Sequence, residues 1–248
     1  MVERPGLTDE VNVTGFGVRK EEFMLSGRSC LLLSAEAPEV ILVEPVDEND
    51  LAFLDRETRC LAENSARPFA LVTFIVRDWN NELAPWKAAP VFGKEPFGEG
   101  ASGTLDFIED ELLPYLAQAN PFLGGLPVIV GGYSLAALFA LWAGYVSERF
   151  AAVAAASPLV WYPGWMDFAR NNRPLAGRIY LSLGDAEEKT RNKVMATVGA
   201  RVREQAGLLS GQGIDCTLEW NPGNHFKDAD LRTAKACRWA IGSLPSSV

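Results

Sequence analysis

The chain has 248 residues, of which 48% are hydrophobic, 22% charged and 10% aromatic. This apolar content is too high for a disordered chain. The formal net charge of −9 argues against a nucleic-acid partner, because phosphate binding needs clustered Lys and Arg. Length and composition together predict one globular domain over residues 1–248.

The first ten residues contain no basic segment followed by an apolar core, so the sequence shows no secretory signal. Four widely spaced cysteines without a Cys-x-x-Cys pair then favour free thiols in a cytoplasmic protein. One histidine and no cysteine cluster argue against a zinc site, and we expect neither a metal nor a cofactor. The cysteines are Cys30, Cys60, Cys216 and Cys237.

Apolar segments of strand type alternate with segments of helical period from residue 39 onward. The run FALVTFIV is apolar on both faces, as a central parallel strand should be. The segment before residue 39 is predicted to form antiparallel edge strands. The elements that follow are predicted as a strand at 39–45, a helix at 49–64, a strand at 69–76 and a loop at 77–103.

A helix is predicted after this loop, with Leu105, Ile108, Leu112 and Tyr115 on one face. We expect it to end near Pro114, because proline disrupts the interior of a helix.

The second half of the chain continues the alternation of strands and helices. This pattern predicts an α/β fold, with a mostly parallel central sheet and helices on both of its faces. A helix with Val194, Val198 and Val202 along one stripe is expected between two of these strands. Strands are predicted at 127–131, 150–156, 178–184 and 216–220, and helices at 135–145 and 230–241.

One uncharged run, residues 126–146, is long enough to cross a membrane. A Gly-Gly pair followed by Tyr-Ser interrupts it, and its first part is β-branched whereas its second is rich in Ala and Leu. A buried strand that turns into a buried helix explains both halves. We therefore expect no membrane span.

The segment Gly132-Tyr133-Ser134-Leu135-Ala136 has the pattern of a nucleophile elbow. Such an elbow places a serine on a tight strand-to-helix turn and needs small residues two before and two after it. A β-branched run precedes the motif and an Ala/Leu-rich helix follows it. Ser134 is therefore the candidate nucleophile.

His225, the only histidine, follows the last predicted strand and precedes the last predicted helix. That loop should lie at the carboxyl edge of the sheet, where Ser134 must also lie. Its position also fits the chain order of serine, acid and histidine. We therefore predict His225 as the catalytic base.

The third member of such a triad should follow the strand that ends at Gly184. Three carboxylates stand there, Asp185, Glu187 and Glu188. We favour Glu187, three residues beyond the strand, with Asp185 as the second choice. The remaining carboxylates are expected to be solvated charges near the start of the next helix.

An oxyanion hole needs two N–H donors. One is expected from Leu135, at the start of the elbow helix, and the other from the loop after the strand at 39–45. Pro45 has no N–H, so Val46 is the predicted second donor.

A glycine-rich segment, residues 98–103, fits the Gly-x-Gly-x-x-Gly pattern of dinucleotide-binding proteins. No strand precedes it, and such a strand is what aims this loop at a pyrophosphate. We therefore expect no nucleotide at this segment.

With these motifs the sequence resembles the Putative esterase family of the α/β-hydrolase superfamily, a group with enterochelin esterases, feruloyl esterases, S-formylglutathione hydrolases and antigen 85 proteins. The resemblance covers about residues 39–242 and rests on the runs FIEDELLP (107–114), GYSLA (132–136), FAAVAAASPLVW (150–161) and GDAE (184–187). It implies an α/β-hydrolase fold, with Ser134, Glu187 and His225 as nucleophile, acid and base.

The sequence departs from the family pattern in three places. Tyr133 stands where a histidine is usual before the nucleophile, and Ala136-Ala137 replace a Gly-Gly pair. Glu44-Pro45 replace a His/Asp-Gly pair beside the oxyanion loop.

The predicted activity is hydrolysis of a small-molecule carboxylic ester through an acyl-enzyme. Two alternatives stay open at this point. One is an acyltransferase on the same triad, and the other is a catalytically silent α/β-hydrolase that acts as a binding module. Loops after the strands are where α/β folds build pockets, so we expect substrate contacts from Trp79, Asn80, Trp86, Tyr133 and Trp161, with Trp165 nearby.

Overall fold

A computed structural model describes residues 12–13 and 17–245. Its centre is a nine-stranded sheet in the order β1-β2-β3-β5-β4-β6-β7-β8-β9. The strands are β1 (Asn12–Val13), β2 (Arg19–Leu25), β3 (Arg28–Ser34), β4 (Val40–Val46), β5 (Phe69–Ile75), β6 (Val128–Tyr133), β7 (Phe150–Ala156), β8 (Arg178–Gly184) and β9 (Asp215–Asn221).

Strands β4 to β9 pair in parallel, whereas β1, β2 and β3 form an antiparallel edge that joins the sheet at β5. The turn between β2 and β3 consists of Ser26 and Gly27, with φ of 49° and 76°. Two residues of positive φ match the twist of a tight hairpin. The predicted fold class and its antiparallel N-terminal strands are thus confirmed.

The helices are α1 (Leu51–Asn64), α2 (Trp79–Glu82), α3 (Ala101–Asp106), α4 (Leu113–Ala119), α5 (Leu135–Val146), α6 (Trp165–Asn171), α7 (Val198–Gly211) and α8 (Ala229–Ser243). Short 3₁₀ turns lie at Pro121–Leu123 and Met195–Thr197.

Alternate residues of the central strands enter two separate cores, because successive side chains point to opposite faces of a sheet. Ile41 and Val43 of β4 pack in one core with α5, whereas Val40 and Leu42 pack in the other with α1 and α8. Every residue of β4 is buried. This two-sided burial explains the continuous apolar runs of the central strands.

The uncharged run 126–146 forms β6 and α5, as predicted. Almost all of α5 is buried against β6 and β7. Within the described residues, no helix combines the length and apolar character needed to cross a membrane.

The structure corrects two predictions for helices. The helix after the long loop does not end near Pro114, because a π-helical turn at Phe107–Leu112 joins α3 to α4 and the helix continues to Ala119. Pro114 lies just after this π-helical turn, within the continuous helix. Val194 precedes α7 and is 42% exposed, so only Val198 and Val202 form the predicted buried stripe.

Candidate active site

Ser134 lies on the turn between β6 and α5, with φ of 61° and ψ of −118°. Only a tightly packed turn holds a serine in this sparsely populated conformation. A Cβ atom on Gly132 would lie 2.7 Å from Cβ of Ala136, so the turn needs the small residues that the motif supplies. The Ser134 N–H also donates to the carbonyl of Ala156 on β7, at 3.1 Å.

His225 lies in the loop between β9 and α8 and faces the serine. Its Nε2 atom is 2.9 Å from Ser134 Oγ, and its Nδ1 atom is 2.7 Å from Glu187 Oε2. The Tyr133 hydroxyl donates to the His225 carbonyl at 2.7 Å, which ties the histidine loop to the end of β6. Serine, imidazole and carboxylate therefore form a continuous hydrogen-bonded chain.

The three carboxylates after β8 have different surroundings. Only Glu187 reaches the imidazole. Asp185 Oδ1 accepts the N–H of Gly223 at 2.8 Å, and Glu188 lies 3.5 Å from the Arg203 guanidinium. Of the three, Glu187 is the carboxylate that the structure places beside His225.

The second oxygen of Glu187, Oε1, accepts three hydrogen bonds. The donors are the Ser157 hydroxyl at 2.8 Å, the Gly184 N–H at 2.7 Å and Arg232 Nη1 at 3.1 Å. Burial by itself raises the pKa of Glu187, but the hydrogen bond and charge of His225, together with the hydrogen bonds from Gly184 and Ser157, outweigh it, so the pKa lies below its ordinary value. The carboxylate is therefore held in its charged form.

Arg232, on α8, connects several parts of this network. Its guanidinium also donates to the Tyr133 hydroxyl and to the Pro222 carbonyl, both at 3.0 Å. The Arg232 and Glu187 side chains are 4% and 5% exposed. This buried pair holds the loop after β8, the loop after β9 and the end of β6 together.

Backbone hydrogen bonds join the loops after β8 and β9 directly. The Asp185 N–H donates to the Asn221 carbonyl at 2.9 Å, and the Ala186 N–H donates to the Gly223 carbonyl at 3.0 Å. The distance between Glu187 and His225 is therefore set by the backbone as well as by the side chains.

The two predicted oxyanion donors differ in their backbone surroundings. Leu135 is the first residue of α5, and the N–H groups of a first helical turn have no acceptor within the helix. Val46 is the last residue of β4 and lies in the strand, not in the loop after it. The carbonyl of Val46 accepts the N–H of Val76, just after β5, at 2.9 Å. In a parallel pair of strands, the N–H and the carbonyl of one residue point to the same neighbour, so the Val46 N–H also points to β5.

A cavity of about 320 Å³ opens beside the elbow, between β4, α1 and the start of α8. Of the predicted substrate contacts, Trp79 and Tyr133 line this cavity. Phe226, the neighbour of His225, lines it too and is 89% exposed. We refer to this space as the elbow cavity.

The other predicted substrate contacts lie elsewhere. Asn80 and Trp86 are not among the residues that line the elbow cavity, and the Trp86 Nε1–H donates to the Pro163 carbonyl at 2.8 Å. Trp86 stacks on Trp165, which is fully buried. Trp161 is 3% exposed and borders a different surface cleft. These tryptophans pack the long loop onto α6 and the segment between β7 and α6.

The glycine-rich segment has a structural role. Its Gly98 and Gly100 N–H groups donate to the carbonyls of Asn80 and Asn81, at 3.0 and 2.9 Å, which holds the loop against α2. Gly98 also packs against the Asn81 side chain, and any larger residue would collide with it.

Sequence reasoning gave no functional role to Arg232 or to the acidic residues of the elbow cavity. Arg232 lies in a helix, where a charged side chain usually faces water, and nothing in its local sequence indicates burial. Ser157 belongs to the Ser-Pro-x-x-Trp segment of the family resemblance, which is the only sequence signal for its position. In the described part of the chain, no group of three or more His, Cys, Asp or Glu side chains is arranged to hold a metal ion.

The sequence model of the family described as "Putative esterase" matches residues 50–226. No curated protein sequence matches the chain significantly. Among solved structures, an IroE-like serine hydrolase from Shewanella oneidensis is 14% identical, with a TM-score of 0.75 over 92% of this chain and 82% of that one. The siderophore hydrolase EstA from Aspergillus nidulans is 16% identical, with a TM-score of 0.71 over 98% of this chain and 99% of that one.

At these identities the two solved structures support the fold. The family match is evidence for membership of the family as well, because it spans well over half of the chain. The chain therefore belongs to the Putative esterase family and is an enzyme that hydrolyses esters.

Proposed function

We propose that this enzyme is a serine carboxylesterase with a Ser134–His225–Glu187 triad. The observation that carries the proposal is the continuous contact chain, 2.9 Å from Ser134 Oγ to His225 Nε2 and 2.7 Å from His225 Nδ1 to Glu187 Oε2. In this order the imidazole can accept the serine proton while the carboxylate holds the ring in place and stabilises its charged form.

The reaction runs in two halves. Ser134 Oγ attacks the ester carbonyl as His225 accepts its proton, and the tetrahedral intermediate expels the alcohol, which takes that proton from the imidazolium. Water then attacks the acyl-enzyme with His225 again as the base. The acid leaves, and Ser134 recovers its proton.

The developing oxyanion is assigned to the N–H of Leu135, whose position at the start of α5 also supplies the positive end of the helix dipole. The predicted second donor is Val46. Its N–H would have to leave the β4–β5 ladder to reach the oxyanion, so a local shift at the end of β4 is part of this assignment.

The test is covalent labelling with a fluorophosphonate, combined with hydrolysis of nitrophenyl acetate. Ser134→Ala should abolish labelling and reduce turnover by several orders of magnitude, about a million-fold at most. Ser102→Ala, an exposed serine on α3, is the control and should label and react like the wild type. Labelling that persists in Ser134→Ala would reject the assignment, and labelling of Ser134 without turnover would favour a silent module.

A second variant separates the base from the nucleophile. His225→Ala should lose about as much turnover as Ser134→Ala, because triad members act as a unit. An active His225→Ala enzyme would show that another group accepts the serine proton.

We place the enzyme in the cytoplasm, with a small-molecule ester as its substrate. In support, all four cysteines are unpaired, as expected in a reducing compartment. Siderophore esters are a substrate class to assay first, because one structural neighbour is a siderophore hydrolase. Product analysis with added alcohols distinguishes hydrolysis from transfer to an alcohol.

A further inference from the structure

The elbow cavity has a strongly acidic wall. Its lining contains a single cationic side chain among the described residues, Arg56. Five carboxyl groups also line it, from Glu44, Asp50, Glu57, Asp228 and Asp230.

Arg56 pairs with only two of these five carboxyls. Its guanidinium lies 3.1 Å from Asp228 Oδ1 and 3.3 Å from Asp230 Oδ2, and its side chain is 51% exposed. Glu44 and Glu57, deeper in the cavity, are 2% and 7% exposed. Among the described residues that line the cavity, no cationic group is left for these two carboxyls.

Two carboxyl oxygens in the wall lack a hydrogen-bond donor. Glu57 Oε1 and Asp230 Oδ2 are both fully covered and accept no hydrogen bond, although Arg56 is near the latter. Both residues are only 7% exposed. A buried carboxyl without a donor is costly, so its retention beside a cavity points to a ligand that brings the donor.

The pKa shifts of Glu57 and Glu44 are those of buried carboxyls that have no positive charge beside them among the described residues. Burial raises the pKa of Glu57, and the charge of Glu44 and a hydrogen bond to Glu44 raise it further, while Glu57 Oε1 stays without a donor. Burial likewise raises the pKa of Glu44, although the Cys237 thiol donates to its Oε1 at 2.9 Å. A cation in the cavity would reverse this effect by favouring the charged carboxylates.

The mouth of the cavity is aromatic. Phe53 and Phe226 line it and are 55% and 89% exposed, and Trp79, the first residue of α2, also lines the cavity. Exposed aromatic groups cover the apolar part of a ligand, and their faces also attract an ammonium group. An apolar mouth over an acidic interior matches an alkyl chain that ends in a cation.

We propose that the elbow cavity binds an alkylammonium group of the ester substrate, with Glu57 and Asp230 as acceptors for its N–H donors. The cavity borders Tyr133 and Phe226, the chain neighbours of Ser134 and His225, so a group bound there lies beside the proposed reaction centre. The inference deepens the proposed function and rests on it for the identity of the ligand as substrate.

The experiment is calorimetric titration of the intact Ser134→Ala protein with butylammonium and with butanol. The two probes share an alkyl chain and differ in the cationic group. Butylammonium should bind at least about tenfold more tightly, as expected for charged hydrogen bonds in a covered site. The preference should shrink as the salt concentration rises. Equal affinity for the two probes would overturn the proposal.

Variants locate the binding. Glu57→Gln and Asp230→Asn should each reduce the preference for butylammonium over butanol by about tenfold. Glu63→Gln is the matched control, because Glu63 is an exposed glutamate on the same helix as Glu57. Asp50→Asn, at the exposed mouth, provides a third test and should weaken butylammonium to a lesser degree even if a buried variant does not fold.

The experiment measures binding and catalysis separately. Titration of the Ser134→Ala protein needs no turnover, so failure of the proposed esterase activity would leave this measurement intact. Butylammonium binding that is unchanged in all three cavity variants would reject the elbow cavity as the site. Normal hydrolysis of nitrophenyl acetate without any ammonium preference would reject this inference and leave the proposed function standing.

Discussion

Two groups of buried carboxylates lie at the same edge of the sheet, on opposite sides of β6. Glu187, after β8, accepts hydrogen bonds from Ser157, Gly184 and Arg232 and contacts His225. Glu57, in the elbow cavity, has an oxygen that accepts none.

The difference shows how the surroundings of a buried carboxyl group determine its pKa and therefore its role. The pKa of Glu187 lies below its ordinary value because donors and His225 outweigh its burial. The pKa of Glu57 lies well above it, because burial and the charge of Glu44 act in the same direction. One glutamate is therefore already charged, and the other becomes a good acceptor when a cation arrives.

Replacing the charged carboxylate should have the largest effect on activity. Glu187→Gln should reduce turnover of nitrophenyl acetate by about ten-thousand-fold, because the imidazole loses the charge that orients and stabilises it. Glu188→Gln, next in the chain and paired with Arg203, is the control and should react normally. Comparable turnover in the two variants would show that Glu187 is not the acid.

Removing the buried cation should mainly affect stability. Arg232→Met leaves Glu187, Tyr133 and Pro222 without their shared donor, and breaking a buried ion pair costs about 3 kcal/mol. Urea unfolding near neutral pH measures this loss. A free energy of unfolding equal to that of the wild type would contradict the role of Arg232 as the connector of the site.

The two glutamates should respond to pH in opposite directions. The raised pKa of Glu57 costs stability as pH rises from the unfolded value of about 4.3 through the folded value. Gln does not titrate, so Glu57→Gln should resist urea better than the wild type at about pH 8, with the gain vanishing near pH 4.

The lowered pKa of Glu187 has the reverse sign. Its stabilisation is present above the unfolded value and is lost as pH falls through the folded one. Glu187→Gln should therefore unfold more easily than the wild type at neutral pH, with a deficit that narrows below about pH 4. Urea midpoints measured from about pH 4 to about pH 8, with Glu63→Gln as the reference variant, give the pH dependence of stability for both variants. If both variants were more stable than the wild type, or both less stable, the predicted contrast between the two glutamates would be wrong.

The smallest effect is expected at Tyr133. Tyr133→Phe removes the donor to the His225 carbonyl, a loss of about 1 kcal/mol in stability. Turnover should fall only a few-fold, because Arg232 and Glu187 still hold the loops together. Thermal unfolding and nitrophenyl acetate kinetics measure both. A loss as large as that of Glu187→Gln would assign Tyr133 a direct part in the reaction.

Local patterns were sufficient for most of the sheet and for the elbow. The strand at Phe150–Ala156 matches its predicted limits, and Ser134 follows β6 as its flanking residues indicated. The helix α6 was missed, because its seven residues lie in a segment dominated by Trp and Pro. The helix prediction was wrong at Pro114, because the helix continues past it after a π-helical turn that the local sequence pattern does not reveal.

At the candidate site, what could be predicted from the sequence was limited by a different cause. Glu187 and His225 lie in loops whose place follows from strand order, so a sequence argument can bring them near Ser134. Arg232 and Glu57 are buried by contacts between helices and loops far apart in sequence. Their local surroundings look like ordinary solvated helix faces, and only the packing of α1 and α8 shows otherwise.

The hydrogen bonds that join the loops after β8 and β9 bear on how such an enzyme changes its preferred ester. Because these loops hold each other, Glu187 and His225 keep their spacing without help from the opposite side of the cleft. The side chains of α1 that line the elbow cavity can then change without altering the spacing of Glu187 and His225. Divergence and laboratory selection for new esters should therefore accumulate substitutions at those positions of α1 and spare the joined loops.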